Sequence, residues 1–283
     1  MTDTPTIEVD AERLRVDLEE NGAFGAIDRD PPRAWGRTVL AGTEPNRAAR
    51  DRLRERMESA GLEVTVDSVG NVLGTWTPPS ADPDAAPVVA GSHLDSVPRG
   101  GIFDGPLGVY AALEGVRAMQ EGGVDPERPV AVVSFTEEEG QRFGEGLLGS
   151  SVAVGERSVA EALALEADGT TLGEALADIG YDGEGLIDPG GWHAFLELHV
   201  EQDTVLERAG ERAAGDGAAD AEGADAGGGD DVRGPVGVVT TITGITHAAV
   251  ELVGEANHAG ATSMNERRDA LAAAAEFVLD VET

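Results

Sequence analysis

Four short segments of the 283-residue sequence concentrate the side chains that could bind a metal ion or move a proton. In Gly91-Ser92-His93-Leu94-Asp95-Ser96, His93 and Asp95 stand two apart, so on an extended segment they share a face. A carboxylate so placed can hold one imidazole nitrogen and leave the other for a metal. The glycine-rich loop Gly100-Gly101-Ile102-Phe103-Asp104-Gly105-Pro106-Leu107-Gly108 delivers one carboxylate immediately before a helix, either as the helix N-cap or as a ligand. Without a lysine or Walker-type spacing it is a poor phosphate cradle. Ser134-Phe135-Thr136-Glu137-Glu138-Glu139-Gly140 places three adjacent carboxylates just past an apolar run, where they repel one another unless a cation joins them. Glu197-Leu198-His199-Val200-Glu201-Gln202 adds a second imidazole.

The elements that must carry these segments read as alternating strand and helix. A helix opens at Thr43-Glu44-Pro45, carries Ala48, Leu53 and Met57, and closes at Gly61. Leu62 to Asp67 and Asn71 to Trp76 read as a strand pair around Ser68-Val69-Gly70. Pro87 to Ser92 is a short buried strand, followed by a helix from Pro106 to Gln120 with Val109, Leu113, Val116 and Met119 on one face. Val130 to Phe135 is a second buried strand and Ala194 to Val200 a third. Ser158 with Glu161 forms a capping box. Strands separated by helices imply an α/β, doubly wound sheet covered on both faces. His93, Asp104, Glu138, Glu139 and His199 then all lie at or beyond C-terminal strand ends, the edge where open sheets place their ligands. Two imidazoles and several carboxylates converging there suit one or two divalent ions.

Composition narrows the classes. Fifty-four acidic residues against 20 basic ones give a net charge of −34, and the sequence has no lysine and no cysteine. Disulfides, thiolate metal sites and a cysteine nucleophile are excluded. Such an acidic chain is repelled by phosphate backbones, so no nucleic-acid partner is expected. No apolar run approaches the roughly 20 residues that span a bilayer, and Met1 to Asp10 shows no secretory signal, so a cytoplasmic protein without a membrane partner is expected. Periodic apolar residues, 41% of the chain, argue for a folded protein with an acid-coated surface. Molar salt screens the self-repulsion of such a surface, which points to a halophilic host. From Gly210 to Gly234 the sequence collapses to Gly, Ala, Asp and Glu and reads as an acidic low-complexity loop. Beyond it, Val236 to Glu251 reads as one or two strands and Asp269 to Val281 as an alanine-rich helix.

The stretches GSHLDSVPRGGIFDGPLGV, SFTEEEGQRFG, ELHVEQ and GEANHAGATSMNERRDAL closely resemble the carbamoylase-type amidases, the N-carbamoyl-L-amino-acid hydrolase and allantoate amidohydrolase family. These are di-metal hydrolases related to the aminoacylase and carboxypeptidase metallopeptidases. The resemblance runs from about Arg37 to the last residue. It implies a zinc-peptidase-like catalytic domain with an inserted α+β, ferredoxin-like lid through which full-length chains dimerise. The corresponding organisation is a catalytic part at 1–209, the acidic loop at 210–234, a return strand or hinge at 235–244 and an incomplete lid at 245–283.

The resemblance also implies roles. His93 and His199 would bind one metal, Asp104 would bridge two, and Glu139 would bind the second, with Asp95 supporting His93. Glu138 would be the general base. Gln202, Asn257 and His258 would contact a carbamoyl or ureido substrate, with His258 hydrogen-bonding the oxyanion from across the lid of a dimer partner. Two divalent ions, Zn2+, Mn2+ or Co2+, would be the cofactors. The related peptidases usually have a carboxylate where His199 stands, and His199-x-x-Gln202 points to the amidase branch. His193 and His247 do not fit a ligand role by position and read as structural. Two departures stand out: Asp203 follows Gln202 where the family commonly has Gly, and family chains continue well past Thr283. The rest of the lid and a last histidine ligand are expected there, so a poorly stable, inactive fragment is the rival to an active amidase. A di-metal peptidase or N-acyl-amino-acid deacylase is the other rival.

Overall fold

A five-stranded mixed sheet organises the first of the two units into which the chain divides, Met1–Asp203; the second is Thr204–Thr283. The computed structural model describes residues 7–27, 36–206, 208, 236–242 and 249–281. The acidic segment 210–234 and His247 therefore lie outside the described residues.

In chain order the first unit comprises α1 (Ala11–Gly22), β1 (Gly36–Arg37), α2 (Glu44–Ser59), β2 (Glu63–Val66), β3 (Val72–Trp76), β4 (Val88–His93), β5 (Gly100–Gly101) and α3 (Pro106–Glu121). It continues through β6 (Val130–Phe135), α4 (Leu148–Ala153), α5 (Val159–Leu163), β7 (Glu166–Ala167), β8 (Thr170–Thr171), α6 (Leu172–Ile179) and β9 (Ala194–Leu196). The sheet order is β2-β3-β6-β4-β9. β4 runs parallel to β6 and β9, whereas β3 is antiparallel to both β2 and β6. The doubly wound expectation thus holds for three strands. The link from Val66 to Val72 is too short for a crossover helix, so β2 and β3 can only form a hairpin.

Period-two alternation in β6 builds both faces of the sheet. Val132 enters the larger core with Leu53, Met57, Val109, Leu113 and Val116 from α2 and α3. Ala131, Val133 and Phe135 enter a smaller cluster with Val89 and Ile187, against which Trp192 packs. Capping boxes close the starts of α5 (Ser158, Glu161) and α6 (Thr171, Glu174).

α1 was not legible as a helix, because polar bonds do much of its docking. Asp10 caps it, Arg13 pairs with buried Glu114 at 2.7 Å, and Asp17, itself buried, pairs with Arg117 at 2.7 Å. Two expected elements differ. The third strand ends at Leu196 rather than Val200, because its ladder with β4 covers only Val88 to Ala90. The expected strands across Val236–Glu251 do not form among the described residues. Val238 and Ile242 are 87% and 88% exposed there, since β propensity without a ladder partner builds no strand. The described part of the second unit contains a helix, Ala270–Val281, and no ferredoxin-like sheet.

Candidate functional site

β4, β6 and β9 run parallel and end at one edge of the sheet, with His93 in register with Phe135. His93 is the last residue of β4 and is buried. Its Nδ1 lies 3.1 Å from the Asp95 carbonyl and 3.6 Å from Asp95 Oδ1. Its Nε2 lies 3.4 Å from Glu138 Oε2. Asp95 Oδ2 also accepts the Glu139 N–H at 3.1 Å, so one buried carboxylate joins the strand end to the glutamate loop. Gly105 completes the seat with φ +80°, where a Cβ would meet the His93 ring 2.5 Å from Cε1. Gly105 is also the N-cap of α3, so Asp104 is not the cap and its carboxylate is free for the site.

Asp104 Oδ1 lies 3.1 Å from His199 Nε2, and Asp104 Oδ2 accepts a hydrogen bond from Gln202 Nε2. The His199 Nδ1 faces the Val200 carbonyl at 3.0 Å. The segment Glu197–His199 has left the β ladder, and Ser92 Oγ holds it by donating to Glu197 Oε1 at 2.6 Å. Ligand atoms of His93, Asp104 and His199 lie within 4.8 Å of one another, as do those of His93, Glu138 and Glu139. His93 thus belongs to both groups, while Asp104 and Glu139 share neither. His193 stands outside both; its backbone N–H donates to the Pro87 carbonyl.

Burial pushes the Glu138 and Glu139 carboxyls up, and His93 offsets this only in part against the repulsion of neighbouring carboxylates. Burial by itself would lower the His93 imidazolium. Asp95, Glu138 and Glu139 override it and raise the group to about 9. The same exchange holds Asp95 below the usual carboxylate range despite its burial. Among the described residues the ion-pair partners of Asp104 and Glu138 are imidazoles, not arginines. This acidic cluster, with His93 Nε2 turned into it and mixed nitrogen and oxygen donors, fits one or two divalent ions.

A cavity of about 360 Å³ adjoins Glu138, lined by Ser92, Phe135, Trp192, Phe195 and Glu197 among others. In the second unit, Asn257 Oδ1 accepts the His258 N–H at 2.8 Å and His258 Nδ1 accepts the Gly260 N–H at 3.0 Å. A ring whose Nδ1 accepts keeps its proton on Nε2, ready to donate. Three contributors escaped sequence reasoning. Ser92 and Glu197 stood inside quoted motifs, but nothing in their spacing marks them as partners. Glu137 was indistinguishable from its two neighbours.

A parallel sheet edge bearing two imidazoles and three carboxylates, backed by helices, is an α/β frame able to hold divalent ions at its strand ends. The chain belongs to peptidase family M28, which its residues 71–214 match. It is 39% identical over 278 residues to the N-carbamoyl-L-amino acid amidohydrolase of Geobacillus stearothermophilus, covering 97% of this chain and 61% of that one. It is 34% identical over 287 residues to the ureidoglycolate hydrolase of Arabidopsis thaliana, covering 98% and 54%. A solved hydantoinase/carbamoylase family amidase from Burkholderia ambifaria aligns with a TM-score of 0.71 at 33% identity, over 98% of this chain and 61% of that one. The chain thus spans 54–61% of the length of these relatives. Among the described residues no helix is long and apolar enough to cross a membrane.

Proposed function

We propose that this chain carries the metal-binding half of an amidohydrolase that cleaves the C–N bond of a linear ureido compound, an N-carbamoyl-L-amino acid or allantoate. The observation that carries the reading is the convergence of His93, Asp104, His199, Glu138 and Glu139 on one sheet edge, with Gln202 bonded to Asp104. His93, Asp104 and His199 would hold one ion, and Asp104 and Glu139 a second. Bound divalent ions supply Lewis-acid polarisation of the substrate carbonyl and lower the pKa of an attacking water.

The chain's own residues do the rest. Asp95 fixes the His93 ring through Nδ1, which directs Nε2 into the site. Glu138, its basicity raised by burial, takes the proton of the attacking water at a carboxylate oxygen and returns it to the leaving nitrogen. His258, reaching across from the lid of a dimer partner, donates from Nε2 to the oxygen on which negative charge develops. Gln202 and Asn257 orient the ureido group. The carbamate released decays to CO2 and ammonia. The reading includes a homodimer formed through the lid and the cytoplasm of a halophile, which the acidic, lysine-free composition supports.

A second reading, a peptidase or N-acyl-amino-acid deacylase, is favoured by the family's own description. Elemental analysis and a substrate panel test both. Dialysed protein should retain about one equivalent of transition metal that His199→Ala loses, since three protein ligands make a site. Glu138→Gln should keep that metal yet abolish hydrolysis of N-carbamoyl amino acids or allantoate. Equal, negligible metal in wild type and His199→Ala would refute the ligand set. Cleavage of dipeptides or N-acetyl amino acids in preference to ureido acids would favour the second reading.

A further inference from the structure

Glu138 and Glu139 lie in the bend just past β6, and each brings a carboxylate oxygen within 4.8 Å of a ring nitrogen of His93. The backbone just before them is what aims both side chains at one ring. Glu137 has φ 51°, in the left-handed region that non-glycine residues rarely enter. Its side chain is buried, and its Oε1 accepts two backbone N–H groups from across the loop, Arg142 at 2.8 Å and Phe143 at 2.7 Å. The same loop closes on itself where Leu147, Leu148 and Gly149 donate to the carbonyls of Glu138, Glu137 and Thr136. Arg142 then fastens it outward through Nη1 to the Ala41 carbonyl at 2.6 Å. Glu137 belongs to neither group of candidate ligands.

We infer that Glu137 is a positioning residue: its carboxylate, by gathering the Arg142 and Phe143 amides, locks the left-handed kink that turns Glu138 and Glu139 onto the same imidazole. A buried acceptor of two amide protons holds a loop much as a turn's own backbone bond would. The inference rests on the metal-site reading for its consequence, but the lock itself is a feature of the loop.

Three variants separate acceptor, charge and backbone: Glu137→Gln keeps the acceptor, Glu137→Gly suits the positive φ but removes it, and Glu137→Ala does neither. Two measurements apply to the 283-residue chain. Calorimetric titration with Co2+ reads the site. Trypsin reads the loop, because every basic residue is arginine and cleavage at Arg142–Phe143 reports its opening. Glu137→Gln should bind Co2+ within about threefold of wild type and resist cleavage at Arg142–Phe143. Glu137→Gly and Glu137→Ala should each lose about tenfold or more in affinity and be cut there about tenfold faster, the scale of losing a hydrogen bond to a charged group.

Gln behaving like Ala would overturn the proposal and make Glu137 a ligand or a needed charge. Gly behaving like wild type would overturn it too, since the backbone kink would then suffice. If Glu137→Ala fails to fold, the Gln and Gly pair still decides. Absence of Co2+ binding by wild type would refute the metal reading, while the trypsin comparison alone would still uphold or overturn the lock.

Discussion

Gly105→Ala is the sharpest test of how the site is seated. The added Cβ would lie 2.5, 2.6 and 2.7 Å from His93 Cε1, Nδ1 and Nε2, against the roughly 3.5–4.0 Å of ordinary contact. The ring cannot retreat without leaving Asp95 on one side or Glu138 on the other. Gly105 also has φ +80° and ψ −60°, a conformation that costs a side-chain-bearing residue about 1–3 kcal/mol. Overpacking adds about 1–3 kcal/mol, so a total loss of about 2–6 kcal/mol is expected. Gly101→Ala, in the same loop with nothing within 4 Å of its Cβ, is the control and should stay within about 0.5 kcal/mol of wild type. Urea unfolding measures the stabilities, and calorimetric titration with Zn2+ measures the site. Displacing His93 from Asp95 should weaken Zn2+ by about ten- to a hundredfold. If Gly105→Ala unfolds like the Gly101→Ala control and binds Zn2+ like wild type, the seat described for His93 is wrong.

Two further outcomes follow from the same geometry. In chelator-treated protein the folded state favours protonated His93, whose pKa rises from 6.5 to about 9 under Asp95, Glu138 and Glu139 although burial opposes it. That stabilisation is complete below about pH 6.5 and is lost as pH rises through about 9; at about 1.4 kcal/mol per pH unit it amounts to about 3 kcal/mol. A urea series across this range should show the decline and His93→Gln should flatten it, whereas a flat wild-type profile would refute the assignment. Ser92→Ala removes the donor that holds Glu197 and, two residues on, His199. It should cost about 1–3 kcal/mol of stability and weaken Zn2+ along with it, and unchanged Zn2+ affinity would mean that His199 is held by other bonds.

What the sequence revealed follows from what drives each element. β6 and α3 were legible almost to the residue, because Val130 to Phe135 and the Val109, Leu113, Val116 stripe bury apolar area with clear periods. The site residues were legible because His93 and His199 end or follow such strands, and the glutamates follow β6. α1 was hidden because its key contacts are the ion pairs Arg13–Glu114 and Arg117–Asp17, made to buried carboxylates, which carry no hydrophobic period. In α2 the stripe fell on Ala49 rather than the expected Ala48. Val236 to Ile242 misled in the opposite sense, since valine-rich propensity says nothing of a partner strand. The roles of Glu137 and Ser92 depend on bonds to residues five to about a hundred positions away, which local spacing cannot encode.

β9 is three residues long and, among the described residues, pairs on only one side. An open strand edge is a template for pairing with another copy of the same chain. In dilute buffer a net charge of −34 holds copies apart. That repulsion reaches about 10 Å at 0.1 M salt and only about 3 Å at 1 M. In brine, colloidal stability therefore passes from long-range repulsion to the shortness of the edge itself, with Glu197 immediately beyond it as the nearest deterrent to templated growth.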